Sequence, residues 1–412
     1  MTHAATKNPF NIIVIVAALG YFVDIYDLIL FSIVRIPSLK GLGITDNDSI
    51  KNIGIALLNM QMLGMLTGGI IWGILGDKKG RLSVLFLTIL LYSLANIANG
   101  FVQTLPQYYI LRFLAGVGLA GELGIGITLV SEVMTKETRG YGTTIVSGIG
   151  IAGAVLGFLV ADLFDWRAAY FVGGALGLLL LILRVSVYES GMFSKLKHEP
   201  VKRGDFLSLF RNKRKFLKYI YCILIGVPVW YVIGILVTFS PEFARKVLHV
   251  QGEINAGKSV MYHYIGASVG SFLLGILSQY LRSRKKSLGA ALSALLVFIV
   301  AYFCSFGATT AFFYSIIFVL GLAQGYWAVF ITTASEQFGT NLRATVTTTA
   351  PNFVRGSTVL MTSLYGLIET WMNLGMLAAG VIVGIIVLSL SFFALFHLEE
   401  TYHKDLDYTE VI

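Results

Sequence analysis

The chain has 412 residues, of which 56% are hydrophobic and 13% are charged. Its mean hydropathy of +0.78 is far above what the core of a water-soluble protein requires, so the composition indicates an integral membrane protein. The net charge of +9 does not indicate a nucleic-acid partner, because the basic residues follow a topological pattern in the loops between apolar segments.

Twelve apolar runs are long enough to cross a bilayer, which takes about 20 helical residues. We number them spans one to twelve; they lie near 11–34, 52–74, 83–102, 105–131, 143–164, 168–187, 216–239, 259–281, 288–306, 311–333, 346–368 and 373–397. The first run lacks a small-residue cleavage site, so we expect a retained span rather than a signal peptide. Cys222 and Cys304 have no zinc or redox spacing, and we expect no metal or cofactor.

Basic residues mark one side of the membrane. They occur at 78–81 between spans two and three, at 282–286 between spans eight and nine, and nine times in the long connection 188–218. The positive-inside rule places these loops and both termini in the cytoplasm, and we expect a plasma membrane, in a bacterium the inner one. Acidic membrane lipid is the expected partner of this charge.

A sequence pattern appears twice, 204 positions apart: "SEVMTKETRGYGTT" from Ser131 and "SEQFGTNLRATVTT" from Ser335. Each copy follows the fourth span of a six-span set. The repeat predicts an all-helical protein with a six-helix bundle over 1–187, a cytoplasmic basic linker over 188–215, and a pseudo-symmetric second bundle with a short tail over 216–412. Such repeats commonly hold a substrate near the midplane, between the halves.

The loop after span two, "GILGDKKGRLS", resembles the signature of the major facilitator superfamily; the matching positions are Gly73, Leu75, Asp77, Lys78, Gly80 and Arg81. Span four, "LRFLAGVGLAGELGIGITLVSE", is similar to the metabolite:proton symporter, sialate and sugar porter branches. The resemblance covers nearly the whole chain and implies a transporter rather than an enzyme. Antiporters of the superfamily typically carry a Gly-Pro motif in span five, and its absence here favours symport.

Two carboxylates, Asp24 and Asp27, lie inside span one, where charge is costly. The resemblance assigns proton coupling to Asp27 and to Arg112 of span four. Each lies seven residues inside the predicted outer end of its span, about 10 Å deep, so the two can pair. Asp24 shares a helical face with Asp27 and could share the proton or orient the arginine. The alternative for these charges is a static ion pair.

Glu122 and Arg355 are predicted near the midplane. The repeat position of Arg355 in the first half is Ile151, so the fold itself does not demand a charge there. Arg355 could hold a carboxylate ligand bidentately, and Arg112 is a second candidate for binding the substrate. Alternatively, Arg355 pairs with Glu122 or a span-one aspartate. Glu122 is a candidate for coupling or gating, or else a hydrogen-bonded structural acid.

Further substrate-binding candidates surround these charges: Gln324, Tyr326, Trp327 and Asn352, with packing as the alternative role of the aromatic residues. By resemblance, six charged residues form a cytoplasmic gate: Asp77, Arg81, Glu132, Arg139, Glu336 and Arg343. Solvated loop charges are the alternative for the gate.

Together these features predict a secondary active transporter that moves a small organic anion or metabolite by alternating access, in symport with protons, as a functional monomer. The alternatives are an exporter, antiporter or uniporter of the same fold, and a membrane sensor that binds its ligand without transporting it.

Overall fold

The computed structural model describes residues 12–79, 81–124, 130, 134, 139–189, 206, 208–402 and 404. Nine of the helices in these ranges are long and apolar enough to cross a membrane, and span three is a shorter apolar helix. Span eleven is more polar, and span four continues into residues outside the described ranges. The predicted all-helical fold of about twelve spans is confirmed.

The first six spans are formed by the helices Ile12–Gly41, Asn47–Lys79, Arg81–Gly100, Leu105–Leu119, Arg139–Ile151 with Gly153–Leu163, and Trp166–Glu189. Span four begins where the Gln107 side chain accepts a hydrogen bond from the backbone N–H of Thr104, at 3.2 Å. This contact satisfies one of the donors that the start of a helix leaves without an intrahelical partner.

The second six spans follow the short helix Ser208–Arg211 and are formed by Lys213–Tyr231 with the π-helix Val232–Val237, Ala256–Tyr280, Arg284–Phe303, Thr310–Gln324 with Trp327–Glu336, Thr340–Gly366 with the π-helix Leu367–Trp371, and Gly375–His397. A further helix, Ser240–Lys246, follows span seven. Residues 190–205 and 207 lie outside the described ranges, so the domain boundaries at 187 and 215 stay a prediction.

Span one is longer than its hydropathy predicts. It continues past residue 34 to Gly41, because the charged Arg35 is fully buried and paired rather than solvated. Asp27 therefore lies fourteen residues from the end of its helix, whereas Arg112 lies seven from the start of span four. The predicted end of span one near residue 34 is therefore wrong, but Asp27 and Arg112 still lie close enough to interact electrostatically.

Spans four and ten are both interrupted at equivalent positions. The regular helix of span four is interrupted by a turn at Ala120 and Gly121, and that of span ten by a turn at Gly325 and Tyr326; the two glycines are 204 positions apart. A break in a helix inside a membrane is tolerated where it faces protein or a cavity. The repeat thus brings two broken helices to the interface between the halves.

Glycines allow the close packing of these spans. A Cβ atom added at Gly116 of span four would lie 2.1 Å from the Gln61 carbonyl oxygen of span two. The second half repeats the arrangement, because a Cβ atom at Gly266 of span eight would lie 2.1 Å from the Phe318 carbonyl oxygen of span ten. Neither position can carry a side chain without moving a backbone.

The two halves meet mainly through spans two and eleven and through spans five and eight. At one end of the molecule spans seven and nine begin and spans eight and twelve end; Lys213, Arg214 and 284–286 lie there. We name it the basic end. The opposite end of the molecule carries the C-terminal end of span one and the helix Ser240–Lys246.

Candidate functional site

A cluster of buried charges occupies the interior of the described structure. Each side chain is at most 7% exposed, and the cluster consists of Asp24, Asp27, Arg112, Glu122, Arg184 and Arg355. Electrostatic interactions link Asp24 with Arg355, Glu122 and Arg184, and link Asp27 with Asp24 and Arg112. With every member ionised, three carboxylates balance three guanidinium groups.

Arg355 is the member of this cluster that comes from the second half. Its Nη2 atom lies 3.9 Å from Asp24 Oδ2, and its Nη1 atom donates to Asn352 Oδ1 at 3.3 Å. The Nε donor has no hydrogen-bond partner, and neither has either Asp24 oxygen. The ion pair is therefore long, and both of its partners keep hydrogen-bonding capacity for another group.

The expected ion pair between Asp27 and Arg112 is not formed. Arg112 donates to Asn96 Oδ1 at 3.0 Å and to Gln61 Oε1 at 3.4 Å. Its guanidinium lies 4.9 Å from the centre of the Tyr170 ring. Neutral amides thus bind both Nη atoms of the arginine, whereas its Nε atom and both Asp27 oxygens are left without a hydrogen bond. Asp27 and Arg112 are close enough for an electrostatic interaction but do not form a salt bridge.

Glu122 pairs with Arg184 of span six, not with Arg355. Arg184 Nη1 donates to Glu122 Oε2 at 3.0 Å, and Nη2 contacts the other oxygen. Gly20 provides the space, because a Cβ atom there would lie 1.9 Å from Arg184 Nη2. Sequence reasoning missed Arg184, because a basic residue three positions before the predicted end of a span reads as a loop-flanking charge.

A small central cavity lies beside Arg355, between the halves. Its volume is about 30 Å³, which is the space of about one water molecule. The lining includes Tyr21, Ile151, Trp230, His263, Tyr264, Gln324, Trp327 and Arg355. Trp327 Nε1 donates to the Tyr21 hydroxyl across the interface, at 2.9 Å.

The predicted substrate-binding residues separate into two groups. Arg355, Gln324 and Trp327 line the cavity, whereas Arg112, Tyr326 and Asn352 are not part of its lining. Tyr326 points into the second half, where its hydroxyl donates to the Ile225 carbonyl at 2.9 Å. Asn352 instead orients Arg355 and donates to the Ala120 carbonyl of span four at 2.7 Å.

Ion pairs join the two halves at the end of the molecule opposite the basic end. Arg35 Nη1 lies 2.8 Å from Glu242 Oε1, and both side chains are at most 6% exposed. Arg35 also donates to the Thr238 carbonyl at 3.1 Å, where the π-helix of span seven ends. A second pair joins Lys51 to Glu369 at 2.5 Å, and a third, more exposed pair joins Asp48 to Lys246. The sequence analysis did not identify these pairs.

At the basic end, Glu336 is fully buried and pairs with Arg284, with Nη2 3.1 Å from Oε1. Arg343 Nε donates to the Ser335 carbonyl at 3.2 Å. The other four predicted gate residues cannot be placed in this way: Glu132 and the side chains of Asp77, Arg81 and Arg139 lie outside the described residues.

Glu400 joins the segment after span twelve to the start of span nine through hydrogen bonds. Its carboxylate accepts hydrogen bonds from the backbone N–H groups of Arg284, at 2.9 Å, and Lys285, at 3.2 Å, and from the Ser283 hydroxyl. Partial burial opposes ionisation, but these hydrogen bonds outweigh it and hold the pKa of Glu400 below its ordinary value. No group of His, Cys, Asp and Glu side chains suited to a metal ion occurs in the described ranges.

The family model described as Major Facilitator Superfamily matches residues 17–362. The chain is 32% identical over 185 residues to a putative niacin/nicotinamide transporter of Bacillus subtilis, a match that covers 44% of this chain and 45% of the relative. It is also 32% identical over 207 residues to the benzoate transport protein of Acinetobacter baylyi, covering 47% and 43% of the two chains. The chain thus spans less than half the length of these relatives.

The same fold occurs in the solved structure of the proton:xylose symporter XylE. The TM-score is 0.71 at 16% identity, and the match covers 96% of this chain and 97% of that one. The family and the names of the relatives agree with the expectation of a transporter rather than an enzyme.

Proposed function

Since the chain belongs to the Major Facilitator Superfamily, we propose that it is a secondary active transporter that carries a small organic anion by alternating access, in symport with protons. The observation that supports this most strongly is the Arg355–Asp24 contact at the central cavity. One guanidinium from the second half there faces a carboxylate from the first half, and an anionic substrate would compete with that carboxylate.

Arg355 is the proposed anion-binding residue. It lines the cavity, and its Nε donor is unused. A guanidinium binds a carboxylate through two parallel hydrogen bonds, which fixes the orientation of the ligand as well as its charge. Asn352 holds one Nη atom in place, so the fork is oriented before the ligand arrives.

The charge balance of the cluster supports proton coupling. With all six groups ionised, its three buried carboxylates and three buried guanidinium groups sum to zero, and a bound monoanion would add an uncompensated negative charge in a medium of low dielectric constant. The uptake of one proton by the Asp24–Asp27 pair restores neutrality. We therefore propose one proton for each monoanion, with Asp24 released from Arg355 as the substrate binds, and Asp27 as its neighbour in the proton path.

The remaining cavity wall favours a substrate with an apolar, planar body. Trp230, Trp327, Tyr21 and Tyr264 offer aromatic faces. The two relatives are named for niacin/nicotinamide and for benzoate, and niacin and benzoate are small aromatic monocarboxylates. We propose the same class of substrate for this chain.

Alternating access would use the contacts at the two ends in turn. We propose that the Arg35–Glu242 and Lys51–Glu369 pairs separate when the cavity opens at the opposite end. The Asn352–Ala120 contact and the predicted gate at the basic end would separate in the other half of the cycle. The basic end is proposed to face the cytoplasm of a bacterial inner membrane, and the protein to work as a monomer.

Purified protein in liposomes tests this proposal with radiolabelled benzoate and nicotinate. A carrier exchanges labelled for unlabelled substrate, and an inward proton gradient drives accumulation above equilibrium. Binding without exchange would identify a sensor, and exchange without proton-driven accumulation would identify a uniporter.

A further inference from the structure

The second-half wall of the central cavity holds polar atoms that the protein itself does not satisfy. His263 is fully buried in span eight, and neither ring nitrogen has a hydrogen-bond partner. Gln324 of span ten is 2% exposed, and its Oε1 atom also has no partner. Both residues line the cavity that Arg355 lines. Buried polar groups in native proteins are nearly always hydrogen-bonded, so this group of atoms calls for an explanation.

The orientation of the Gln324 amide is set by its surroundings. Its Nε2 atom donates to the carbonyl oxygens of Val229, at 2.9 Å, and Pro228, at 3.3 Å. Carbonyl oxygens accept only from the nitrogen side of an amide, so the orientation cannot be reversed without losing both bonds. Gln324 Oε1 is therefore a buried hydrogen-bond acceptor without a donor.

His263 is held beside Gln324 by tight helix packing. A Cβ atom at Gly321 would lie 1.9 Å from the His263 carbonyl oxygen, so spans eight and ten touch through their backbones at this level. The Gln324 side chain and the Ile317 backbone are the groups positioned to hydrogen-bond the ring after a small movement. In this conformation neither ring nitrogen has a partner within hydrogen-bonding geometry. A neutral imidazole offers one donor and one acceptor. The pair thus presents one N–H donor and two acceptors beside an otherwise largely aromatic and aliphatic wall.

We infer that His263 and Gln324 form a second polar subsite, which binds a hydroxyl group of the substrate while Arg355 binds its carboxylate. This inference rests on the proposed function. A hydroxyl matches the subsite because it donates to Gln324 Oε1 and accepts from the His263 N–H at the same time. A ring nitrogen only accepts and leaves Oε1 unsatisfied, and an unsubstituted ring leaves the whole subsite unsatisfied.

The subsite therefore ranks three probes of similar size: a hydroxybenzoate, nicotinate and benzoate. A site built to hydrogen-bond a hydroxyl discriminates strongly against an analogue that lacks it, because its own buried polar groups then stay unpaired. We expect the better of 3- and 4-hydroxybenzoate to bind at least about tenfold more tightly than benzoate, with nicotinate between them.

Calorimetric titration of the purified, full-length protein with each probe tests the inference. His263→Phe and Gln324→Leu should each reduce the hydroxybenzoate-to-benzoate affinity ratio to near one while benzoate still binds. Tyr326→Phe is the matched control, since its hydroxyl contacts Ile225 away from the cavity and its loss should leave the ratio unchanged.

Two outcomes would overturn the inference, and they differ in what else they reject. Equal binding of all three probes by the unaltered protein, or a ratio that survives both substitutions, rejects the subsite alone. Failure of every carboxylate probe to bind a folded protein, with an unchanged melting temperature for the preparation, rejects the subsite and the proposed function together.

Discussion

The Arg355 guanidinium lies 3.9 Å from the Asp24 carboxylate, and this contact joins span eleven to span one beside the central cavity. Glu122, the other acid that the sequence suggested as a partner, is already bound to Arg184 in a two-bond contact. Arg355 and Asp24 thus form an ion pair in this conformation. A substitution at either residue should therefore also affect the other.

Arg355→Lys should weaken the binding of an aromatic carboxylate about tenfold, because the ammonium group cannot form two parallel hydrogen bonds. Arg355→Ala should weaken it further, up to about a hundredfold, as expected for the loss of a charge-assisted hydrogen bond. Isothermal titration with benzoate and nicotinate measures both. Unchanged affinity in the alanine variant would contradict the assignment of Arg355 to the substrate.

The stability of the same variant identifies the partner of Arg355. Arg355→Ala removes the guanidinium that lies within salt-bridge distance of the buried Asp24 carboxylate, which should lower the free energy of unfolding by about 3–5 kcal/mol. Adding Asp24→Asn should restore most of the loss, whereas adding Glu122→Gln should not, because Glu122 keeps Arg184. Thermal unfolding in detergent compares the variants, and rescue by Glu122→Gln instead would contradict the pairing seen here.

The sequence predicted the fold and the burial of the charges that lie well inside apolar runs, because such runs and the isolated charges within them can be recognised in a single sequence. It did not predict how the charges pair. Depth along a span says nothing about the direction of a side chain around the helix, so it could not show that Glu122 meets Arg184 rather than Arg355. Tyr326 was misplaced for a related reason: its position along the span did not show that its hydroxyl reaches the Ile225 carbonyl inside the second half.

The ion pairs at the opposite end were missed for a different physical reason. Arg35 and Glu242 each lie beside the predicted end of a span, where a charge is normally solvated. Only the tertiary contact between the halves buries them together, against the Phe239 ring 4.5 Å from the guanidinium. A single sequence carries no signal for such a contact.

Breaking that buried pair should open the opposite end. Arg35→Gln removes the charge that Glu242 requires, so conformations with the halves apart should gain in population by at least about tenfold. The rate at which a membrane-impermeant maleimide labels a cysteine introduced at Leu28, which lines the cavity, measures the change. Lys246→Gln is the matched control, because its pair with Asp48 is exposed and contributes little. Equal labelling rates in all three proteins would argue against a gate here.

Glu400 should make the stability of the basic end depend on pH. Its pKa in the folded protein lies below the ordinary value of 4.5. Its stabilising effect is therefore complete above about pH 4.5 and is lost as the pH falls through the folded-state pKa. Glu400→Gln should lower the melting temperature at pH 7, and the difference from the unaltered protein should shrink below pH 4.5. A difference that is constant between pH 7 and pH 3.5 would contradict this.

Asp24→Asn should abolish accumulation driven by a proton gradient while leaving substrate exchange intact, since the proton-accepting carboxylate is lost and Arg355 remains. Asp27→Asn tests the neighbouring position in the same assay. Asp162→Asn, which removes an exposed acid, is the control and should accumulate substrate normally. Full accumulation by the Asp24 variant would exclude it as the coupling residue.

The central claim is that one proton enters the buried cluster for each monoanion that binds. The most direct measurement is the proton uptake of the purified protein on addition of saturating benzoate in weakly buffered solution, followed with a pH indicator at a pH above the pKa of benzoic acid. The account predicts about one proton taken up per benzoate bound, and close to none in Asp24→Asn. Benzoate binding by the unaltered protein without proton uptake, at every pH between 6 and 9, would contradict it.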